Sequence, residues 1–133
     1  MSTAPYIPVS KVMNEEVTFV SGLTDVLEAL KTMKRNKVTY LMIERRTDED
    51  EYGMISFSDI AKHVIAENRA PERVDVHEIM AKPVVSVRPE MDIRYCARLF
   101  NNVGISHAPV IKHGEVVGIV SYYHLVLEAL DLD

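Results

Sequence analysis

The stretch Gly53-Met54-Ile55-Ser56-Phe57-Ser58-Asp59 reads as a strand that runs straight into a helix. Tyr52 to Phe57 is a short run rich in apolar and aromatic residues, which suits a strand. Ser58 to Glu67 follows as a helix. Gly53 lets the chain leave a hairpin without a Cβ clash. Ser56, Ser58 and Asp59 then gather at a helix N-terminus, where unpaired N–H groups and the helix dipole favour an anion. A carboxylate in that place can accept from both vicinal hydroxyls of a ribose, and two serines can donate to a phosphate. Serine and aspartate are also ordinary helix caps, worth about 1 kcal/mol each. On local sequence alone the capping reading stands ahead of the ligand reading.

The same junction returns as Gly118-Ile119-Val120-Ser121-Tyr122-Tyr123-His124, at an offset of 65 residues. Working outward towards the N-terminus, the offset becomes 67: Val9 falls on Val76, Met13 on Met80, Val17 on Val84, Val20 on Val87 and Asp25 on Asp92. The apolar positions Val26, Ala29, Leu30 and Met33 fall on Ile93, Cys96, Ala97 and Phe100, and Val38 falls on Ile105. A register that holds across a whole copy with one short slip marks an internal repeat.

Each copy reads as β-α-β-β-α. In the first, Val17–Val20 is a strand, Thr24 and Asp25 are N-cap candidates, and Val26, Leu27, Leu30 and Met33 recur at helical spacing. Val38–Ile43 is the second strand, and the acidic tract Asp48–Glu51 is a solvated hairpin tip. In the second copy the elements fall at Val84–Val87, Asp92–Asn101, His107–Lys112, Glu115–Ser121 and Tyr122–Leu130, with Gly114 free to take a positive φ in a tight turn. The expected class is α/β (α+β), with copies over 9–67 and 76–131, a connector over 68–75, and the pair packed with pseudo-twofold symmetry.

The order of elements and the Gly-h-h-Ser-x-x-Asp junction, where h is apolar, resemble the CBS domain. Val9…Met13 and Val76…Met80, the opening Asp25 and Asp92, and Ser106-His107-Ala108-Pro109-Val110 add to the resemblance, which covers residues 9 to 130. Two such domains in tandem form a Bateman module. The resemblance implies a regulatory module, not an enzyme, that binds AMP, ADP, ATP or S-adenosylmethionine in clefts between the repeats and needs no cofactor. It implies one cleft built from Ser56, Ser58 and Asp59 with Met91, Cys96, Ile105, Ser106, His107, Ala108 and Pro109. It implies a second built from Ser121, Tyr123 and His124 with Thr24, Ala29, Val38, Thr39 and Tyr40. His124 stands where the family has its ribose aspartate, and Met91 where many members have a threonine. Homodimers are implied as well, and a separate effector protein as partner. The apolar load of the last helix, Leu125, Val126, Leu127, Ala129 and Leu130, agrees with self-association. The alternative function is a ligand-free dimerisation or interaction module.

Other functions find little support. With 20 acidic against 15 basic residues, the chain lacks the basic footprint that nucleic-acid binding needs. No stretch of eighteen apolar residues predicts a membrane span, and Met1–Pro8 does not read as a secretory signal. The single cysteine, Cys96, allows no internal disulfide and fits a cytoplasmic location. On the apolar face of a helix it reads as a small core residue rather than a nucleophile. His63, His77, His107, His113 and His124 form no metal-ligand spacing. His107 reads equally as a surface histidine or as a phosphate contact. No nucleophile–base pairing suggests catalysis.

Overall fold

The computed structural model describes residues 5–130. The chain divides into two compact units, and these do not follow the sequence copies. One unit is Thr18–Val84; the other joins the segment ending at Val17 to the chain from Val85 onward. Each copy's opening segment therefore belongs with the body of the other copy.

In the Thr18–Val84 unit, β1 (Phe19–Val20), β2 (Tyr40–Ile43) and β3 (Gly53–Ser56) form one sheet in that order. β1 runs parallel to β2, and β2 antiparallel to β3 with Tyr40 opposite Ser56 and Ile43 opposite Gly53. Helix α1 (Val26–Asn36) crosses between the parallel strands. Its N-cap is Asp25, whose carboxylate accepts from the Glu28 N–H at 2.9 Å. It stops at Lys37, which takes the left-handed conformation at φ 56°. All four residues of β2 are buried, as expected of a continuous apolar run with no polar face. Leu41, Ile43 and Ile55 from the sheet pack on Val26, Ala29 and Met33 of α1, with Ile60 and Val64 beyond the junction. Val76 and Ile79, from the second copy's opening 3-10 turn, complete this core. The turn is held by backbone bonds from Val76 N to Thr24 O (2.8 Å) and from Ala81 N to Met54 O (2.9 Å).

The second unit repeats the scheme. Helix α3 (Ile93–Val103) is capped by Asp92 and ended by Gly104 at φ 75°. β4 (His107–Lys112) and β5 (Glu115–Ser121) form a hairpin whose turn places His113 and Gly114 at positive φ. Helix α4 (Tyr122–Ala129) follows at once. The core is Ile93, Cys96 and Phe100 from α3, Ala108, Val110 and Val120 from the hairpin, and Leu125 from α4, closed by Val9 and Val12. Five pairs taken from the repeat register face the two cores in the same way: Val26 and Ile93, Ala29 and Cys96, Met33 and Phe100, Ile55 and Val120, Ile60 and Leu125.

Three expectations need correction. Val84–Val87 does not form a strand: only Val87 bridges to Val110, with Val87 N on Pro109 O and Ile111 N on Val87 O. Pro83 and Pro89 flank this stretch, and proline cannot donate to a ladder. The helix after β3 is α only over Phe57–Ile60 (α2), and then widens to a π-turn over Ala61–Ile65. Finally, the acidic tract is not wholly solvated. The Asp50 side chain is only 14% exposed, held by Lys82 at 2.8 Å and Arg46 at 3.3 Å. The Lys82 ammonium beside it keeps its carboxyl far below the usual range. Among the described residues no helix is long and apolar enough to cross a membrane.

Candidate functional site

Both strand-to-helix junctions are closed by reciprocal capping. At the first, Ser56 Oγ accepts from the Asp59 N–H (3.3 Å), while Asp59 Oδ2 accepts from the Ser56 N–H (2.9 Å) and hydroxyl (3.1 Å). This is a capping box with aspartate at its third position. All three contacts converge on Ser56 Oγ and Asp59 Oδ2, and among the described residues no hydrogen bond reaches Asp59 Oδ1. The carboxylate thus serves the helix with one oxygen and keeps the other as an acceptor. Ser58 and Phe57 are exposed beside it.

At the second junction His124 takes the aspartate's place. Its Nδ1 accepts from the Ser121 N–H at 3.2 Å and lies 2.9 Å from the Ser121 hydroxyl, whose oxygen accepts from the His124 N–H. An Nδ1 that accepts a backbone N–H carries no proton, so the neutral ring holds its proton on Nε2. Burial pushes the His124 pKa down, partly opposed by Glu128, which favours this neutral form.

The neighbours of each junction follow from strand pairing within its unit. Tyr40 lies opposite Ser56, and Phe57 N donates to Thr39 O at 3.3 Å. In the same way His107 lies opposite Ser121, and Tyr122 N donates to Ser106 O at 3.1 Å. So the first junction is brought beside Thr39 and Tyr40, and the second beside Ser106 and His107. Ser58, Ser106 and Tyr123 are exposed, His107 is half-buried, and Ala108 and Pro109 are buried. Ser106 Oγ is 2.8 Å from His107 Nδ1. The half-buried Met91 packs on the core of its unit and its carbonyl accepts from Val9 N at 2.8 Å; Thr24 O holds Val76 N. Cys96 is fully buried, and burial pushes its thiol up to about 11, which suits a core residue. Among the described residues no group of three potential metal ligands occurs.

The junction glycines have a role that the sequence reading missed. Gly53 and Gly118 lie in extended strands; an ideal Cβ on Gly53 would come within 2.4 Å of Met80 Sδ, and one on Gly118 within 2.5 Å of Met13 Sδ. They are therefore needed for close approach. The opening-segment methionine of each copy lies over the third-strand glycine of the other. The signal was present as two Val-x-x-x-Met openings and two glycines, but nothing in one sequence says that they meet.

Comparison with known proteins agrees with the repeat. The family model described as CBS domain matches twice, at residues 9–66 and 76–131. The homoserine O-acetyltransferase of Methanosalsum zhilinae is 33% identical over 115 residues, 86% of this chain and 22% of that protein. The chain spans 20% to 64% of the length of the curated relatives it matches. Among solved structures, the hexameric CBS-CP12 protein from bloom-forming cyanobacteria superposes with a TM-score of 0.90 at 36% identity, over 92% of this chain and 68% of that one. A CBS domain pair solved with 5′-methylthioadenosine and S-adenosyl-L-methionine superposes with a TM-score of 0.79 at 24% identity, over 91% and 94% of the two chains. At that identity the likeness speaks for the fold.

Proposed function

The chain belongs to the CBS domain family and carries two of its domains, and from that premise we propose that it is a regulatory module, not an enzyme, that senses an adenosine-containing ligand through Asp59. The observation that carries the reading is the divided use of the carboxylate: Oδ2 closes the capping box, and Oδ1 remains an acceptor. A ribose diol offers two hydroxyl donors, and bonds to an ionised carboxylate are stronger than neutral ones. Ser56 and Ser58 stand beside it in the sequence. The pair solved with two adenosine derivatives supports that ligand class. The second junction, Ser121, Tyr123 and His124, is the weaker adenosine site, because its ring presents an N–H where a hydroxyl needs an acceptor.

Calorimetry against AMP, ADP, ATP and S-adenosylmethionine tests the proposal. Asp59→Ala is expected to weaken binding about ten- to a hundredfold. Asp59→Asn keeps an acceptor for the cap and separates ligand loss from loss of fold when melting is followed in parallel. Wild-type protein that binds none of these ligands at millimolar concentration defeats the reading. The alternative, a ligand-free interaction module, draws on α4, where Tyr122, Tyr123 and Val126 are exposed. Self-association through that helix, as a homodimer, is part of either reading and is read by light scattering. A cytoplasmic location and a separate effector protein accompany the regulatory reading.

A further inference from the structure

A cavity of about 430 Å³ opens inside the Thr18–Val84 unit, away from Asp59 in the sequence and lined by none of the residues discussed for adenosine. It lies where β1 and β2, the parallel pair, reach their C-terminal ends: Ser21, Gly22 and Leu23 follow β1, and Ile43, Glu44 and Arg46 close β2. The crevice beyond the carboxyl ends of parallel strands is where α/β sheets commonly take ligands. Leu23, Ile43 and Met80 give it an apolar wall, and most of its lining is apolar. Its volume is at the small end of ligand sites, roughly 300–1,000 Å³, which suits a molecule smaller than a nucleotide.

The polar groups differ in what they have left to give. The Lys82 ammonium is bound by both oxygens of Asp50, at 2.8 and 3.0 Å. His77 has Asp75 at 3.6 Å. Arg46 spends only Nε on Asp50, at 3.3 Å, and its side chain is 84% exposed. Its two terminal nitrogens meet no partner among the described residues. The same holds for the Glu44 carboxylate, whose residue is tied down only through its backbone N–H to Val20 O. One cavity thus offers an uncommitted fork of N–H donors and an uncommitted carboxylate above an apolar wall. A simple anion would face Glu44. A simple cation would face Arg46 and Lys82. A zwitterion answers both.

We propose that this cavity binds a free α-amino acid with an aliphatic or thioether side chain. Arg46 takes the α-carboxylate in a forked pair, Glu44 takes the α-ammonium, and the side chain lies on Leu23, Ile43 and Met80. Asp50 and Lys82 hold the hairpin that carries Arg46. The proposal is independent of the adenosine reading, since no residue is shared.

The test titrates the whole chain with L-leucine and L-methionine by calorimetry, alongside N-acetyl-L-leucine, which lacks the ammonium, and L-leucinamide, which lacks the carboxylate. The expected result is saturable binding of at least one amino acid, with each analogue weaker by about tenfold or more. Glu44→Gln and Arg46→Gln should each reduce amino-acid affinity by a similar factor. Because the Glu44 carboxylate has no partner among the described residues, Glu44→Gln tests the site even if Arg46→Gln loosens the hairpin. No binding at millimolar concentration, N-acetyl-L-leucine binding as well as L-leucine, or binding indifferent to Glu44→Gln would each overturn the proposal.

Discussion

The junctions at Ser56–Asp59 and Ser121–His124 solve one structural problem with two chemistries. Each must satisfy the first N–H groups of a helix that begins where a strand ends. At the first a carboxylate oxygen accepts from the serine N–H at 2.9 Å, at the second an imidazole nitrogen does so at 3.2 Å. The folding task is met in both. The atom left over differs: Asp59 retains an oxygen that accepts, while neutral His124 retains an Nε2–H that donates. The repeat therefore preserves the cap and changes what the cap presents.

Beneath the junctions the units should behave alike, and the largest expected effects test that equivalence. Phe100 and Met33 occupy matching places in the two cores, both fully buried. Phe100→Ala is expected to cost about 3–5 kcal/mol and Met33→Ala about 2–5 kcal/mol, measured by urea unfolding. A cost below about 1 kcal/mol for either would mean that its site collapses freely or is not core, and would break the comparison. The glycines extend it: Gly53→Val and Gly118→Val should each cost about 1–3 kcal/mol by crowding the opposing methionine, read from the shift of the same urea midpoint. Gly118 is expected to be the less tolerant, because its next neighbour is the Asn14 carbonyl at 3.0 Å rather than a side chain.

Much of this was legible in the sequence. The repeat register found matching core positions, and β4 and β5 fall on the strands read from their apolar runs. The caps at Asp25 and Asp92 were visible because aspartate before an amphipathic run is a local signal. What stayed hidden is non-local. Val84–Val87 has the composition of a strand, but the prolines around it leave a single bridge. The exchange of Val9–Met13 and Val76–Met80 between the units cannot be read from a register that treats them as the start of their own copies. Asp50 looked like one of four solvated acids until Lys82, 32 residues away, was found against it. At the candidate site, Ser56 and Asp59 were singled out, but not the division of labour between the two carboxylate oxygens, which depends on geometry.

The comparison sharpens if the two chemistries are exchanged. Asp59→His should keep the capping box and lose the free acceptor, weakening adenosine-ligand binding about ten- to a hundredfold with little change in melting temperature. His124→Asp places a second acceptor in the matching position and should raise the calorimetric stoichiometry or the affinity for the same ligand. If Asp59→His binds as tightly as wild type, the acceptor at this position is irrelevant and Asp59 is a cap alone.

The smallest effect concerns the His124 cap and pH. Its folded pKa is lowered by burial, against an opposing contribution from Glu128, so the unfolded chain binds more protons in the window between the two values. Stability then rises with pH across that window. The contribution is present above the ordinary histidine value of about 6.5, and it is lost as pH falls through the lowered folded value. Structurally, a proton on Nδ1 turns the acceptor of the Ser121 N–H into a donor, and the α4 capping box opens. The loss should be that of one cap, about 1 kcal/mol. The measurement is a difference: wild type against His124→Asp, melted at pH 7 and pH 5. An aspartate there would accept from the Ser121 N–H through a carboxylate oxygen, as Asp59 does from Ser56 at the other junction. The wild type should lose more stability than the variant on acidification, by about 1 kcal/mol. Equal losses in the two proteins would show that the imidazole at the second junction does not hold the helix as the carboxylate does at the first.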